Sequence, residues 1–180
     1  MSQVSEVFES IIKYAKKYKV TTRQLAYILG TVQRETANTY LPVREAYWLS
    51  EEWRKHNLRY YPAYGRGLVQ ITWDSNYTKM ANIIKKELGI DVYKMGKGKY
   101  DWALDLDLSA FILVYGMVYG TFTGKRLGQY IKGDTTDYFN ARKIVNGLDA
   151  AKIIVGYAQE WERKLLKGQV KEFNKDEFVY

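Results

Sequence analysis

The chain contains no cysteine. A disulfide framework and cysteine-ligated zinc are therefore both excluded, and the composition fits a protein made in a reducing cytoplasm. Only one histidine, His56, is present. One histidine cannot form a histidine metal cluster, and without a nucleophile motif it supports no Ser-His-Asp triad. It reads as a surface residue near a helix end. The N-terminal stretch MSQVSEVFESIIKYAKKYK lacks a charged start followed by an apolar run, so no signal peptide is expected. The most apolar segment, LSAFILVYGMVYG at 108–120, is too short to span a bilayer. No internal repeat and no interdomain linker is visible.

What is present points to a globular chain. It has 180 residues, 47% of them hydrophobic, enough to bury a real core at this size. One domain is expected, with its core over about 4–168 and a loose polar tail over 169–180. The net charge is +8, from 28 Lys and Arg against 20 Asp and Glu. Such a balance favours anionic partners (nucleic acid, anionic lipid or acidic wall polymers), and it also fits a plain solubility charge. The 17 Tyr and 5 Trp suit stacking on sugar rings and an ordinary core alike.

Helical spacing dominates. Val4, Phe8, Ile11, Ile12, Ala15 and Tyr18 define a first helix over about 4–18. Thr21 and Gln24 form a capping-box pattern that opens a second, over about 22–36, with Leu25, Ile28, Leu29 and Val32 as its stripe. Ser50, followed by Glu51 and Glu52, caps a short helix to about 56. From Tyr60 to Trp73 the pattern changes to Pro62, Gly65 and Gly67, then an alternation over Leu68–Thr72. That predicts a turn and a short strand or hairpin. Asp74 or Ser75 should cap a helix ending near Gly89, and 91–104 reads as a loop whose Lys94–Lys99 stretch is solvated. Asp107 is expected to cap a buried central helix over about 108–120, in which Gly116 and Gly120 permit close helix packing. Asp149 is expected to cap a last helix that shows Ile153, Ile154, Tyr157, Ala158, Trp161 and Leu165 on one face and stops at Gly168.

Two glutamates stand out for chemistry. Glu35 follows Val32 by three positions and Ile28 by seven, so it borders the apolar stripe near a helix end. Loss of solvation there raises a carboxyl pKa and suits an acid that protonates a glycosidic oxygen; a border residue facing water has the same spacing. Glu45 lies between two helices with Arg44 and Arg54 close in sequence. Nearby cations would keep it ionised, as a base that activates water must be; a surface salt bridge fits equally. Two carboxylates in different surroundings are what glycoside hydrolysis requires, roughly 6.5–9.5 Å apart when a water must fit between them. Gly65 and Gly67 allow close backbone approach. By period two, Gln70 and Thr72 share a strand face, with Asn76 in the next helical turn, and Thr72 suits holding an attacking water; a hairpin with ordinary polar residues shows the same pattern.

Four segments occur in order: TVQRETA at 31–37, PVREAYWLSEEWR at 42–54, NLRYYPAYGRGLVQITWDSNY at 57–77 and FNARKIVNG at 139–147. Together they resemble glycoside hydrolase family 19, the plant-chitinase type, and more closely its phage and bacterial lysozyme-like (endolysin) branch, over about residues 22–165. The resemblance implies a mainly α, lysozyme-like bilobal helical domain with a small β-hairpin or sheet beside the cleft. It implies an inverting mechanism without metal or cofactor. Glu35 matches the general acid and Glu45 the general base. Thr72 matches the position that orients water, and Gln70, Asn76 and Asn146 match substrate-binding positions. Tyr64 and Arg66 fall in the family's Tyr-Gly-Arg-Gly turn and are expected at the substrate. The chain departs from the family pattern at Arg34, usually His, and at Ala37, usually Gly. Neighbours on a helix point about 100° apart, so Arg34 is read as a substrate-side or lobe-contact residue rather than a partner of Glu35.

The function expected from this is a peptidoglycan hydrolase that cuts the β-1,4 bonds of bacterial wall glycan strands. It would be monomeric, without nucleic-acid partners or stable membrane insertion. It would wait in the host bacterial cytoplasm for holin-type release to the wall. A chitinase of the same mechanism is the first alternative. A noncatalytic wall-binding or nucleic-acid-binding basic domain is another, disfavoured by the joint presence of Glu35, Glu45 and Thr72.

Overall fold

The structure is a computed structural model that describes residues 2–167. The expected loose tail, 169–180, and Gly168 as the stop of the last helix lie outside the described residues. Within them the chain is mainly α: α1 Gln3–Lys17, α2 Thr22–Glu35, α3 Glu51–Asn57, α4 Asp74–Leu88, α5 Leu106–Tyr119, α6 Leu127–Tyr130 and α7 Ala151–Leu166. Three short 3-10 turns, at Val92–Lys94, Asp101–Leu104 and Asn140–Ile144, complete the helical part. None of these helices is long and apolar enough to cross a membrane.

Local chemistry sets most helix starts. The Thr21 hydroxyl accepts from the Gln24 amide while the Gln24 side chain accepts from the Thr21 amide, so α2 opens on a complete capping box. Ser50 accepts from the Trp53 amide at α3. Such caps contribute about 1 kcal/mol each. Three expected caps are different. Asp105, not Asp107, caps α5 by accepting from the Leu108 amide. Asp107 sits in the first turn of α5, where Ser10, Lys13 and Tyr14 of α1 all donate to it; a tertiary ion pair has replaced a cap. The helices α4 and α7 begin without side-chain caps, on Trp73 and Ala150, both with positive φ.

The core is one contiguous cluster, with α5 at its centre, apolar nearly all round as its sequence predicts and buried from Leu108 to Met117 except at Tyr115. It packs on α1 across the Tyr14–Phe111 edge contact, ring centroids 5.3 Å apart. The helices α2 and α7 pack closely as a pair: a Cβ on Gly30 would stand 3.0 Å from the Ala158 backbone nitrogen. Ile154, Ala158 and Leu165 line the buried face of α7, whereas Ile153, expected on that face, is 48% exposed. Gly116 is small for a different reason from the one expected. Its missing side chain leaves room for the Phe122 ring, which folds back on α5, rather than for a neighbouring helix.

The small sheet forms where the pattern changes. The strands β1 (Val43–Arg44) and β2 (Arg66–Gly67) pair antiparallel, Val43 opposite Gly67 and Arg44 opposite Arg66. A second pair, β3 (Ile131–Lys132) and β4 (Thr135–Thr136), lies apart from the first. The alternation at 68–72 does not make a strand. Arg66 bridges Ile71 across a tight turn, and Gln70 takes φ +60 to close it. Gly67 has φ +95, and a Cβ there would meet the Ser109 hydroxyl oxygen at 2.8 Å. The same hydroxyl oxygen accepts from the Leu68 amide at 2.8 Å. The hairpin is thereby pinned to the central helix.

Candidate active site

A cleft of about 620 Å³ opens beside the hairpin, and Glu35, Glu45, Thr72, Arg34, Gln70, Asn76 and Asn146 all line it. Four stretches of the chain, 34–37, 43–48, 69–76 and 142–149, thus meet at one surface together with Tyr60 and Phe122.

Glu35 arrives on the last turn of α2. The chain beyond is turned sharply by Ala37, Asn38 and Tyr40, all with positive φ. Thr36, fully buried, ties that turn down by donating to the Val32 carbonyl and accepting from the Tyr40 amide. The sequence places Glu35 beside an apolar stripe, with its neighbour Arg34 directed elsewhere; the structure adds a distant cation. Arg142 donates from Nη1 to Glu35 Oε1 at 2.8 Å, with the arginine side chain 4% and the glutamate side chain 17% exposed. Arg142 is itself held by donation from Nε to the Asp149 carbonyl. Glu35 Oε2 receives no hydrogen bond among the described residues.

Glu45 follows β1. Its amide donates to the Gly65 carbonyl at 2.7 Å, and its Oε2 accepts from the Gly65 amide at 2.9 Å. The Tyr60 hydroxyl donates to Oε1 at 2.6 Å. Burial, then this hydrogen bond and the Glu45 charge, push the Tyr60 phenol up to about 12, so it remains a donor. The two arginines expected to hold Glu45 do not reach its carboxylate. Arg44 turns away to Asp101 and Tyr64. Arg54 donates to Glu51 and to the carbonyls of Glu45, Ala46 and Leu49. A phenol and a main-chain amide orient the carboxylate instead.

Gly65 is the meeting point. A Cβ there would stand 2.8 Å from Gln70 Oε1 and 3.3 Å from both Glu45 Oε2 and Thr72 Oγ1. Three oxygens from three places in the chain therefore converge over one glycine. The Thr72 hydroxyl donates to the Gln70 carbonyl at 2.9 Å, which leaves its lone pairs open. Gln70 Nε2 is spent on the Val43 and Gly67 carbonyls, so Oε1 is its free end. Asn76 Nδ2 donates to the Thr72 carbonyl. Asn146 is exposed, with its Oδ1 accepting from the Gly147 amide.

Tyr64 and Arg66, expected at the substrate, lie instead behind the cleft and do not line it. Tyr64 is fully buried and Arg66 is 4% exposed. The Arg66 guanidinium lies 3.8 Å from the Tyr64 ring centroid and donates to Asp101 and to the Pro62 and Tyr64 carbonyls. Asp101 receives both Arg44 and Arg66. Burial works to raise its carboxyl, but the two guanidiniums outweigh that and hold it below the usual range.

Among the described residues, four of the eight non-glycine residues with positive φ, Ala37, Ala46, Gln70 and Trp73, line this cleft. Such conformations cost about 1–3 kcal/mol each and gather at functional sites. Aromatic faces complete the walls: Trp48 is 70% exposed, and Tyr47 and Trp73 are each 44% exposed. Arg142, Tyr60 and these aromatics were not singled out from sequence. The motif at 139–147 contained Arg142, and only its distance from Glu35, 107 positions along the chain, concealed the pairing. Comparison with models of known families, with curated proteins and with solved structures finds no match.

Proposed function

We propose that this chain is a glycoside hydrolase that cuts the β-1,4 bonds of peptidoglycan glycan strands with inversion, Glu35 as general acid and Glu45 as general base. The observation that carries the reading is the convergence of the Glu45 carboxylate and the Thr72 hydroxyl over Gly65, in the cleft that Glu35 also lines. Arg142 engages Glu35 Oε1, so Oε2 is the atom that delivers a proton to the leaving glycosidic oxygen. The Thr72 proton is committed to the Gln70 carbonyl, so Thr72 accepts one proton of the attacking water as a hydrogen bond. The other proton passes to Glu45 Oε2, whose position is fixed by the Gly65 amide. The water lone pair is then aimed at the anomeric carbon from the side opposite the leaving group. One proton leaves the acid and one is gained by the base, so water adds across the bond and both groups must be reset before the next turnover. Inversion needs a gap that holds this water, roughly 6.5–9.5 Å between carboxyls. Trp48 and Trp73 offer flat faces to sugar rings, while Asn76 Oδ1, Gln70 Oε1 and the Asn146 side chain offer polar contacts.

Digestion of purified sacculi, with mass spectrometry of the released muropeptides, tests the proposal. The expected products are disaccharide-peptides cut between the sugars, and Glu35→Gln should lower turnover by about 10²–10⁴-fold while wall binding survives. Unchanged lysis by Glu35→Gln would remove the acid from the mechanism.

A further inference from the structure

Three arginines line the cleft, and two are committed: Arg44 to Asp101 and Tyr64, and Arg142 to Glu35 and the Asp149 carbonyl. The third, Arg34, is exposed, and its side chain makes no hydrogen bond or ion pair among the described residues. It sits one residue before the acid on α2, so its guanidinium leaves the helix about 100° round from Glu35 and lies along the cleft wall rather than on the acid. Asp149, also exposed on the cleft wall, does not pair with it. The remaining exposed lining is neutral: Tyr47, Trp48, Trp73 and Asn146 suit a sugar without charge. An open guanidinium fork matches a carboxylate in two-point geometry.

The geometry points to Arg34 as a specificity residue that pairs with a carboxylate carried on the glycan, favouring acid-substituted strands over neutral ones. This rests on the glycosidase reading and deepens it. Two sources supply the carboxylate: a lactyl group on the sugar ring, or the peptide stem attached to it.

The test compares kcat/KM of the full chain and of Arg34→Gln on three soluble glycans. The first is peptide-bearing wall glycan, the second is the same glycan after amidase removal of peptides, which frees the lactyl carboxylate, and the third is a chitooligosaccharide. Arg34→Gln should lower the preference for a carboxylate-bearing glycan over the chitooligosaccharide by about fivefold, the size expected of an exposed ion pair with good geometry, mainly through KM. Arg34→Lys should restore part of it. Raising the salt concentration should weaken the wild-type preference and leave that of Arg34→Gln flat. A loss confined to the peptide-bearing glycan identifies the stem, and a loss on the amidase-treated glycan identifies the lactyl group. Equal losses on all three glycans, or an unmoved ratio, would overturn the inference while the catalytic reading stands. No cleavage of any glycan by the wild type would overturn both.

Discussion

Gly65→Ala isolates the chemistry of the cleft from the stability of the fold. Gly65 has no positive φ, so its backbone accepts an alanine, and the objection comes from three oxygens. Ordinary contact begins at 3.4 Å, and the new methyl would stand 2.8 Å from Gln70 Oε1, so that oxygen must withdraw by about 0.6 Å. Gln70 is not free to do so alone. Its amide nitrogen is bound to the Val43 carbonyl, two residues before Glu45, and to Gly67. Glu45 Oε2 and Thr72 Oγ1, each 3.3 Å from the methyl, give way as well. A misplacement of about 1 Å costs up to about 10²-fold in rate; the smaller shift here is expected to lower kcat about tenfold, with KM little changed. Stability should hardly move. Restricting the unfolded chain contributes about 0.4–1 kcal/mol, and the strained Gln70 rotamer costs about 0.5–1.5 kcal/mol, so the melting temperature should stay within a few degrees. Reducing-end kinetics on soluble wall glycan and a thermal melt by circular dichroism measure the two quantities. Full activity at an unchanged melting temperature would refute the convergence over Gly65. A fall of more than about ten degrees would make Gly65 a fold determinant instead.

Two other outcomes follow from the geometry. Tyr60→Phe removes one of the two donors that orient Glu45; kcat should fall roughly threefold to tenfold, the worth of one hydrogen bond, with the melt unchanged, and an unaltered kcat would show that the Gly65 amide suffices. Asp101 and Asp107 are both held below their usual carboxyl range, burial opposing and their cationic partners prevailing. Their stabilisation is therefore complete above the unfolded value of about 3.9 and is lost as pH falls through the lower folded value. Urea midpoints should drop on acidification below about pH 4, and a midpoint constant from pH 6 to pH 3 would contradict the two ion pairs.

Six of the seven helices among the described residues were legible in the sequence because their signals are local; α6 was not expected. Thr21 with Gln24, and Ser50 ahead of Glu51, carry their instructions within one turn, and the apolar run of α5 marks its own burial. Local spacing offered Glu35, Glu45, Thr72, Gln70 and Asn76 as candidates with equally good structural readings, Asn146 and Arg34 were named only through the resemblance of the four ordered segments, and all seven line one cleft. Local reading failed where a partner lies far along the chain. Asp107 looked like a cap because nothing nearby announced Lys13 and Tyr14. Arg44 and Arg54 were close to Glu45 in number but spent elsewhere. Tyr64 and Arg66 were expected at the substrate from the resemblance alone, and nothing in the turn gave a hint of Asp101 behind it. The alternation at 68–72 mimicked a strand, and a single left-handed residue, Gln70, was enough to undo it.

The cluster behind the hairpin also restricts which single substitutions this chain tolerates. Arg44 and Arg66 share the single carboxylate of Asp101, with Arg66 almost sealed from water. Losing Asp101 alone leaves two cations facing each other under the sheet, and losing Arg66 alone strips Asp101 of one partner and leaves Tyr64 and Tyr77 unsupported. Losing Asp101 is the costly step because it strands the nearly sealed Arg66, whereas Arg44 and Asp101 are themselves over a third exposed and solvent screens their pairing. The hairpin that carries Gly65 and Gln70 thus rests on a sealed cation whose counter-charge comes from a 3-10 turn 35 positions further along the chain.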